Sequence, residues 1–273
     1  MSSKAFFGNI AVVVVMMAIA SAIEAFAPLF SRGESSKGRV GVNLSMTGVN
    51  FGFNWVLTSV TAILALTLRP AGLLAKTSFP FAVQVVITVL VLDFMYGYAS
   101  HALLHKIPLL WRFHRIHHSD PFVDVTTSFR THPIEGMWRF LFMTIPVWIL
   151  GLPAAGIVIY RLISTINGVL EHANIRLWER FDQIGALLWC TPNMHKVHHS
   201  NERTETDSNY GNILSIYDRA FGTFTRTDRA RHVVYGLKDT DSAEVRSFTG
   251  LLAQPFVAER REQKQTAVAQ DSR

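Results

Sequence analysis

Long apolar stretches set the first limit on what this chain can become. One runs from about Phe6 to Phe30, through Val12-Val13-Val14-Val15, with Glu24 as its one acidic residue. A second covers Phe51 to Leu68, and a third Phe79 to Ala99 with Asp93 near its end. The fourth, Phe140 to Leu170, is interrupted by Gly151, Pro153 and Gly156 and reads as a hairpin of two short spans. Crossing a bilayer takes roughly 20 apolar residues in a helix. Pro and Gly are tolerated there when neighbouring helices satisfy the freed backbone groups. Only 17% of residues are charged and mean hydropathy is +0.23, which is unusual for a soluble chain. The first stretch is long for a signal peptide and no small-residue cleavage site follows it. The expectation is an all-α integral membrane helical bundle, with three full spans plus a broken helical hairpin.

Histidine spacing adds the chemistry. Eight of the eleven histidines fall into three groups: His101 and His105; His114, His117 and His118; His195, His198 and His199. A further histidine, His172, ends an apolar stretch in Glu171-His172-Ala173-Asn174. On a helix, residues three and four apart share a face, so each group aims its rings together. Neutral imidazole suits iron, zinc, copper and nickel. A lone histidine is usually an ordinary core or surface residue, but two HxxHH groups and one HxxxH are hard to obtain by chance. Together they offer more nitrogen than one ion can use, which points to more than one metal.

If all these groups reach one site, the Arg32–Asn50 loop lies on the histidine side, while Lys4 and the Arg69–Lys76 loop lie opposite. Of 26 Lys and Arg, 22 then sit on the histidine side, three opposite, and Arg161 inside the hairpin. Positive residues favour the cytoplasmic face, so the histidine-rich cap is expected to be cytosolic, in a bacterial inner membrane. The net charge of +6 fits attraction to anionic headgroups. The basic residues are scattered without a nucleic-acid motif, so nucleic-acid binding is not expected. The single cysteine, Cys190, allows no intramolecular disulfide, thiolate-rich zinc site or self-supplied Fe–S cluster. Residues 1–78 are read as N-terminal transmembrane helices and loop, 79–225 as the metal-binding core, and 226–273 as a polar C-terminal tail.

With HALLH at 101–105, HRIHHSD at 114–120, TTSFRTHPIE at 126–135, EHANI at 171–175 and HKVHHS at 195–200, the chain resembles the fatty acid hydroxylase/sterol desaturase superfamily of membrane-bound di-iron oxygenases. The likeness continues through Asn209-Tyr210-Gly211-Asn212 and Tyr217 to Thr223, and covers roughly residues 85–225. It implies two Fe ions held by His101, His105, His114, His117, His118, His172, His195, His198 and His199. Ala102 stands where many relatives have Arg, and Gly168 where ten-ligand relatives can carry another histidine. His132 precedes a proline, which disfavours helical geometry, and stays outside that ligand set. His232 sits in a polar stretch and is expected to be exposed.

Metal-bound histidines usually donate their other N–H to a carboxylate or carbonyl. Asp93, Asn209 and Asp218 are the leading candidates to support the ligands in this way, ahead of Asp124, Glu135, Glu171 and Asp207. For any single one of these the ordinary reading is a solvated or capping residue, and Tyr96 and Tyr98 can equally be interfacial anchors. The resemblance implies O₂ as co-substrate and oxidation of an unactivated C–H bond in a lipid: a fatty acyl chain, a sterol or terpenoid, or an ether or amino lipid. Hydroxylation is favoured over desaturation. No haem, flavin or nicotinamide motif is present, so a separate electron donor is expected, a ferredoxin or cytochrome with its reductase. A zinc-dependent membrane hydrolase, a metal transporter and a haem-binding membrane protein are the alternatives. The sequence lacks what each would need: respectively an HExxH motif, ligands placed mid-membrane, and facing axial histidines on apolar helices.

Overall fold

The computed structural model describes residues 3–68, 72–238, 240 and 242–257. Among them no strand forms; two isolated bridges, Pro28 with Ile175 and Trp189 with Leu214, are the only β pairing. The main helices are α1 (Ser3–Phe26), α2 (Val40–Leu68), α3 (Phe81–Lys106), α4 (Pro108–His118), α5 (Pro133–Leu150) and α6 (Ala154–His172). Shorter ones follow: α7 (Glu179–Gly185), α8 (Pro192–His198), α9 (Ile216–Ala220) and α10 (Phe248–Val257). By length and composition α3 and α6 are able to cross a membrane, and Ile10–Phe26 of α1 is a shorter apolar run.

The expected Arg32–Asn50 loop is corrected: helix α2 already begins at Val40. Its first turns read as loop because they carry Asn43, Thr47 and Asn50, but these fall on one buried helical face. Asn43 donates to Asp120 (2.8 Å) and Asn50 to the Thr131 carbonyl (2.7 Å). The polar face is therefore spent on the 119–132 segment rather than on water. Glu24, near the end of α1, does the same: its Oε1 accepts from the amides of Val125 (2.9 Å) and Asn174 (2.8 Å).

Helix α3 is not uniform. Asp93–Ala99 is a π-helical segment, and α-helix resumes through the HALLH turns. Such segments are frequent at functional sites. Asp93, at its start, accepts from the amides of Ile213 (3.1 Å) and Leu214 (3.0 Å), which draws the 209–214 turn onto α3.

The hairpin breaks at Gly151, whose φ of +65° lies in the left-handed region that glycine alone adopts freely. The Gly72 backbone packs directly on it, so close that a Cβ on Gly72 would fall 1.9 Å from the Gly151 nitrogen. Leu92, Met143, Leu152 and Tyr160 fill the space between α3, α5 and α6. Small residues let these helices approach: a Cβ on Gly156 would lie 2.6 Å from Thr88. Between apolar helices in lipid, this van der Waals fit replaces the hydrophobic drive.

Residues of the 226–238 and 242–257 segments pack onto the cap. Ala230 and Val233 meet Val197, while Val245 and Leu251 meet Met46 and Ile116. Residues 258–273 of the expected tail lie outside the described residues.

Candidate metal centre

Each histidine reaches the centre from a helix end. The last two turns of α3 carry His101 and His105, α4 carries His114, His117 and His118, and α6 ends on His172. Helix α8 carries His195 and His198, with His199 at its C-terminus. Pro108 and Pro192 occupy the first turns of α4 and α8, where a missing N–H costs nothing. Thr191 caps α8 by accepting from the Met194 amide at 3.3 Å.

The nine predicted rings gather into two buried nests. His101, His105, His114, His118 and His198 form one; His117, His172, His195 and His199 form the other, with ligand atoms within 4.8 Å of one another in each. Helical geometry explains the division. Positions i and i+4 point within about 40° of each other, whereas i+3 lies about 100° from i+4. So His114 and His118 serve the first nest and His117 the second, while His195 and His199 serve the second and His198 the first. The nests adjoin, with the His118 and His199 rings stacked at 4.5 Å between centroids.

Hydrogen bonds fix which nitrogen faces inward. A carbonyl only accepts, so His101 Nδ1 donates to Tyr210 O (2.8 Å), His198 Nδ1 to Ser208 O (2.6 Å) and His172 Nδ1 to Gly168 O (2.6 Å). His114 Nδ1 donates to the Glu135 carboxylate at 3.0 Å. In each neutral ring the Nε2 is then a bare lone pair. Yet His101 Nε2 lies 3.0 Å from His114 Nε2, and His172 Nε2 lies 3.0 Å from both His117 and His195 Nε2. Between His101 and His114 two lone pairs face at that distance and repel, and a cation between them removes the conflict. His117 and His195 have no hydrogen-bond partner on Nδ1, so nothing fixes their tautomer, but both crowd the single bare Nε2 of His172. The donor set therefore fits metal ions. The buried Nε2 atoms of His105 and His198 have no hydrogen-bond partner either.

Burial, then the neighbouring rings, lowers the pKa of His117, His118, His195 and His199 well below the imidazole range. His198 is pushed to about 3, again mainly by burial. Neutral rings are what metal ligation requires.

Around the nests stand the supports. Asp218 accepts from the amides of Tyr210 and Gly211 (2.8 Å each) and from Thr223 Oγ1 (2.7 Å), and so holds the carbonyl that His101 uses. Burial raises its pKa to about 6. Asn209, at φ 55°, bonds through Nδ2 to Met194 O and Thr225 O at 3.0 Å each. Asp93, Asn209 and Asp218 thus all brace the 208–214 turn, and none of them bonds a histidine ring directly. Among the other acidic candidates, Glu135 bonds His114, while Asp207 lies 3.4 Å from His105 Nδ1 and Glu171 3.9 Å from His195 Nε2. Asp124 belongs to a different structure, a buried cluster with Arg39. His132 lies in neither nest; it caps α5, with Nδ1 accepting from the Ile134 amide at 3.1 Å. His232 is exposed.

Sequence reasoning missed Arg39. Its guanidinium is fully buried and bonds Asp120 with two nitrogens (2.5 and 2.6 Å), Asp124 (2.7 Å) and Thr127 (2.8 Å). The cluster ties the start of α2 to the residues that follow His118. A single Arg before an apolar helix gives no sign of this; the Asp120/Asp124 pair was the available clue. Lys196 was also missed: it is buried next to His195, with Nζ donating to Ala173 O (2.6 Å), and burial lowers its pKa to about 7. Ser208, Tyr210 and Gly168 act through carbonyls, which no side-chain pattern reveals.

Residues 85–223 match the family model described as fatty acid hydroxylase. The chain is 32% identical over 178 residues to the ornithine lipid hydroxylase OlsE of Rhizobium tropici, covering 65% of this chain and 52% of that protein. It is 29% identical over 147 residues to the alkylglycerol monooxygenase of Caenorhabditis elegans, covering 53% of this chain and 28% of that one. It is also 31% identical over 158 residues to the very-long-chain aldehyde decarbonylase GL1-6 of Oryza sativa subsp. indica, covering 52% and 22%. The matches thus span about half of the first relative and under a third of the other two. No solved structure gives a significant match.

Proposed function

We propose that this chain, which belongs to the fatty acid hydroxylase family, is an integral membrane oxygenase that uses two irons to hydroxylate a C–H bond of a lipid. The observation that carries the reading is the pair of buried histidine nests, in one of which two lone pairs face at 3.0 Å, a contact that a bound cation relieves. An all-imidazole set suits iron as well as zinc. The relatives favour iron, because two of those named are a hydroxylase and a monooxygenase acting on lipids. Bound iron supplies the capacity to activate O₂ and oxidise an unactivated carbon. Hydroxylation consumes O₂, two electrons and two protons and releases one water, so a separate electron donor completes the system.

The protein's own residues set the stage. Glu135 and the carbonyls of residues 168, 208 and 210 fix ring tautomers, so the Nε2 lone pairs point inward before a metal arrives. Trp111 covers the first nest, 4.9 Å from His105 and 5.4 Å from His118. Arg203 lies over the same indole at 5.9 Å. This wall keeps bulk water from the rings. The bundle brings lipid to the site: α3 and α6 span the bilayer, and both end in ligands. The basic excess on the histidine side supports a cap that faces the cytoplasm.

The test is lipid profiling under ¹⁸O₂ of cells expressing the wild type or the His117→Ala/His198→Ala variant. One labelled oxygen in a lipid, present only with the wild type, supports the reading. Loss of two hydrogens without label indicates a desaturase, and no lipid change indicates another chemistry.

A further inference from the structure

Residues 176–188, between the last helix of the hairpin and α8, carry side chains arranged inside out. Trp178, Phe181, Ile184 and Leu188 recur every three or four residues, the spacing of one helical face. That face is open: Trp178 is 72% exposed and Leu188 65%. Leu187 beside it is exposed too, while Asp182 and Ala186 on the opposite face are buried at 1% each. A water-facing helix shows the reverse order. Contiguous exposed apolar side chains of this size mark an interaction surface.

The ends of the segment say what it meets. At one end the Arg176 amide donates to Ala27 O (2.8 Å), just past α1 and beside the Pro28–Ile175 bridge. At the other, the Ser215 amide bonds Leu188 O (3.1 Å) and Arg219 bonds Ala186 O (2.9 Å). The same 214–221 stretch is fastened to the outside of α3. Tyr217 donates to Leu90 O at 3.0 Å, and Phe221 stacks on Phe94 at 5.8 Å. Leu90 is itself an exposed apolar residue of that span. The apolar face of 178–188 is thus joined, through 214–221, to the exposed apolar flank of α3.

On the flank of this face lies an open depression of about 470 Å³, lined by Arg176, Arg180 and Arg231 with Trp178, Glu179 and Gln183. Arg231 lies 3.4 Å from Glu179. No acidic partner accompanies Arg176 or Arg180 among the described residues, so the depression keeps a net positive charge. Guanidinium forks match phosphate geometry.

We infer that residues 176–188 form a collar immersed in the bilayer interface, and that Arg176, Arg180 and Arg231 hold the phosphate of an anionic phospholipid. The inference rests on the membrane-spanning reading above. Trp and long apolar side chains favour the headgroup boundary, with arginines reaching the phosphates. The collar places the short connection from His172 to His195 on the membrane surface.

The full chain is reconstituted in phosphatidylcholine vesicles with or without brominated acyl chains, and Trp178 is isolated as the difference between wild type and Trp178→Phe. Bromine is expected to abolish most of that difference emission. Quenching of the other tryptophans with Trp178 spared overturns the collar and leaves the spanning reading standing; quenching of none overturns both. Spin-labelled phosphatidylglycerol, compared with labelled phosphatidylcholine, reads the headgroup site. The wild type is expected to prefer phosphatidylglycerol on the order of fivefold, less at high salt. Arg176→Gln/Arg180→Gln/Arg231→Gln brings the ratio near one, whereas Arg203→Gln/Arg226→Gln/Arg229→Gln leaves it. Equal loss in both triple variants, or a preference insensitive to salt, overturns the headgroup site.

Discussion

Arg39 gives the sharpest test of how the centre is held. Substituting Met keeps most of the side-chain volume but takes from the buried carboxylates of Asp120 and Asp124 the cation that bonds both, leaving Asp124 only the half-exposed Arg32 at 3.9 Å. Asp120 still accepts from Asn43 and Thr127 (2.8 Å each), which softens the loss without neutralising the charge. Breaking a buried pair from one side costs about 3–5 kcal/mol. Against a total stability of about 5–15 kcal/mol, that is a large share. In a chain of this size it lowers the melting temperature by about 10 °C. The assay is thermal unfolding of the metal-free protein in mild detergent. Adding Asp120→Asn and Asp124→Asn to Arg39→Met removes the stranded charges and is expected to recover part of the loss. An Arg39→Met protein within about 1 kcal/mol of wild type, below the cost of a stranded buried charge, refutes the argument that this cluster fastens α2 to the ligand-bearing segment.

Other expectations follow from the same geometry. Glu135→Gln weakens the hold on the His114 Nδ1–H and should lower metal affinity or activity about 10–100-fold, read by metal titration; an unchanged titration counts against the tautomer argument. Gly211→Ala puts a Cβ 2.6 Å from Cys190 Sγ and 2.9 Å from Asp218 Oδ2; it should cost about 1–3 kcal/mol, partly restored by Cys190→Ala, in the same unfolding assay. The histidines with lowered pKa stay neutral in the fold and protonate near 6.5 when unfolded. The unfolded state thus takes up more protons below that pH, so metal-free stability is full above 6.5 and falls as pH drops, toward about 3 for His198. Each such group contributes about 1.4 kcal/mol per pH unit in that window; unfolding curves across acid pH that do not shift contradict neutral buried rings.

How much was legible in the sequence varied with the kind of interaction. Period-3.6 spacing placed eight histidines on shared helical faces, the family resemblance added His172, and the structure gathers those nine into two nests. The hairpin break was readable because Gly151 and Pro153 act locally. Helix α2 was misread at its start because Asn43, Thr47 and Asn50 look like loop residues until the 119–132 segment supplies partners. The Arg39 cluster joins residues more than 80 positions apart, and no local pattern encodes such a pairing. Carbonyl partners such as Tyr210 and Ser208 are invisible for another reason: every residue has a carbonyl, and only the fold aims it.

The most direct measurement is metal content per chain, with the metal identified, for protein purified in mild detergent from iron-supplemented cells. His198→Ala and His199→Ala variants, each cutting one nest, accompany the wild type. The account predicts two irons per chain in the wild type, one for each nest, and a reduced content in both variants. Well-folded wild type that binds no metal, or whose metal content is unmoved by both substitutions, contradicts it.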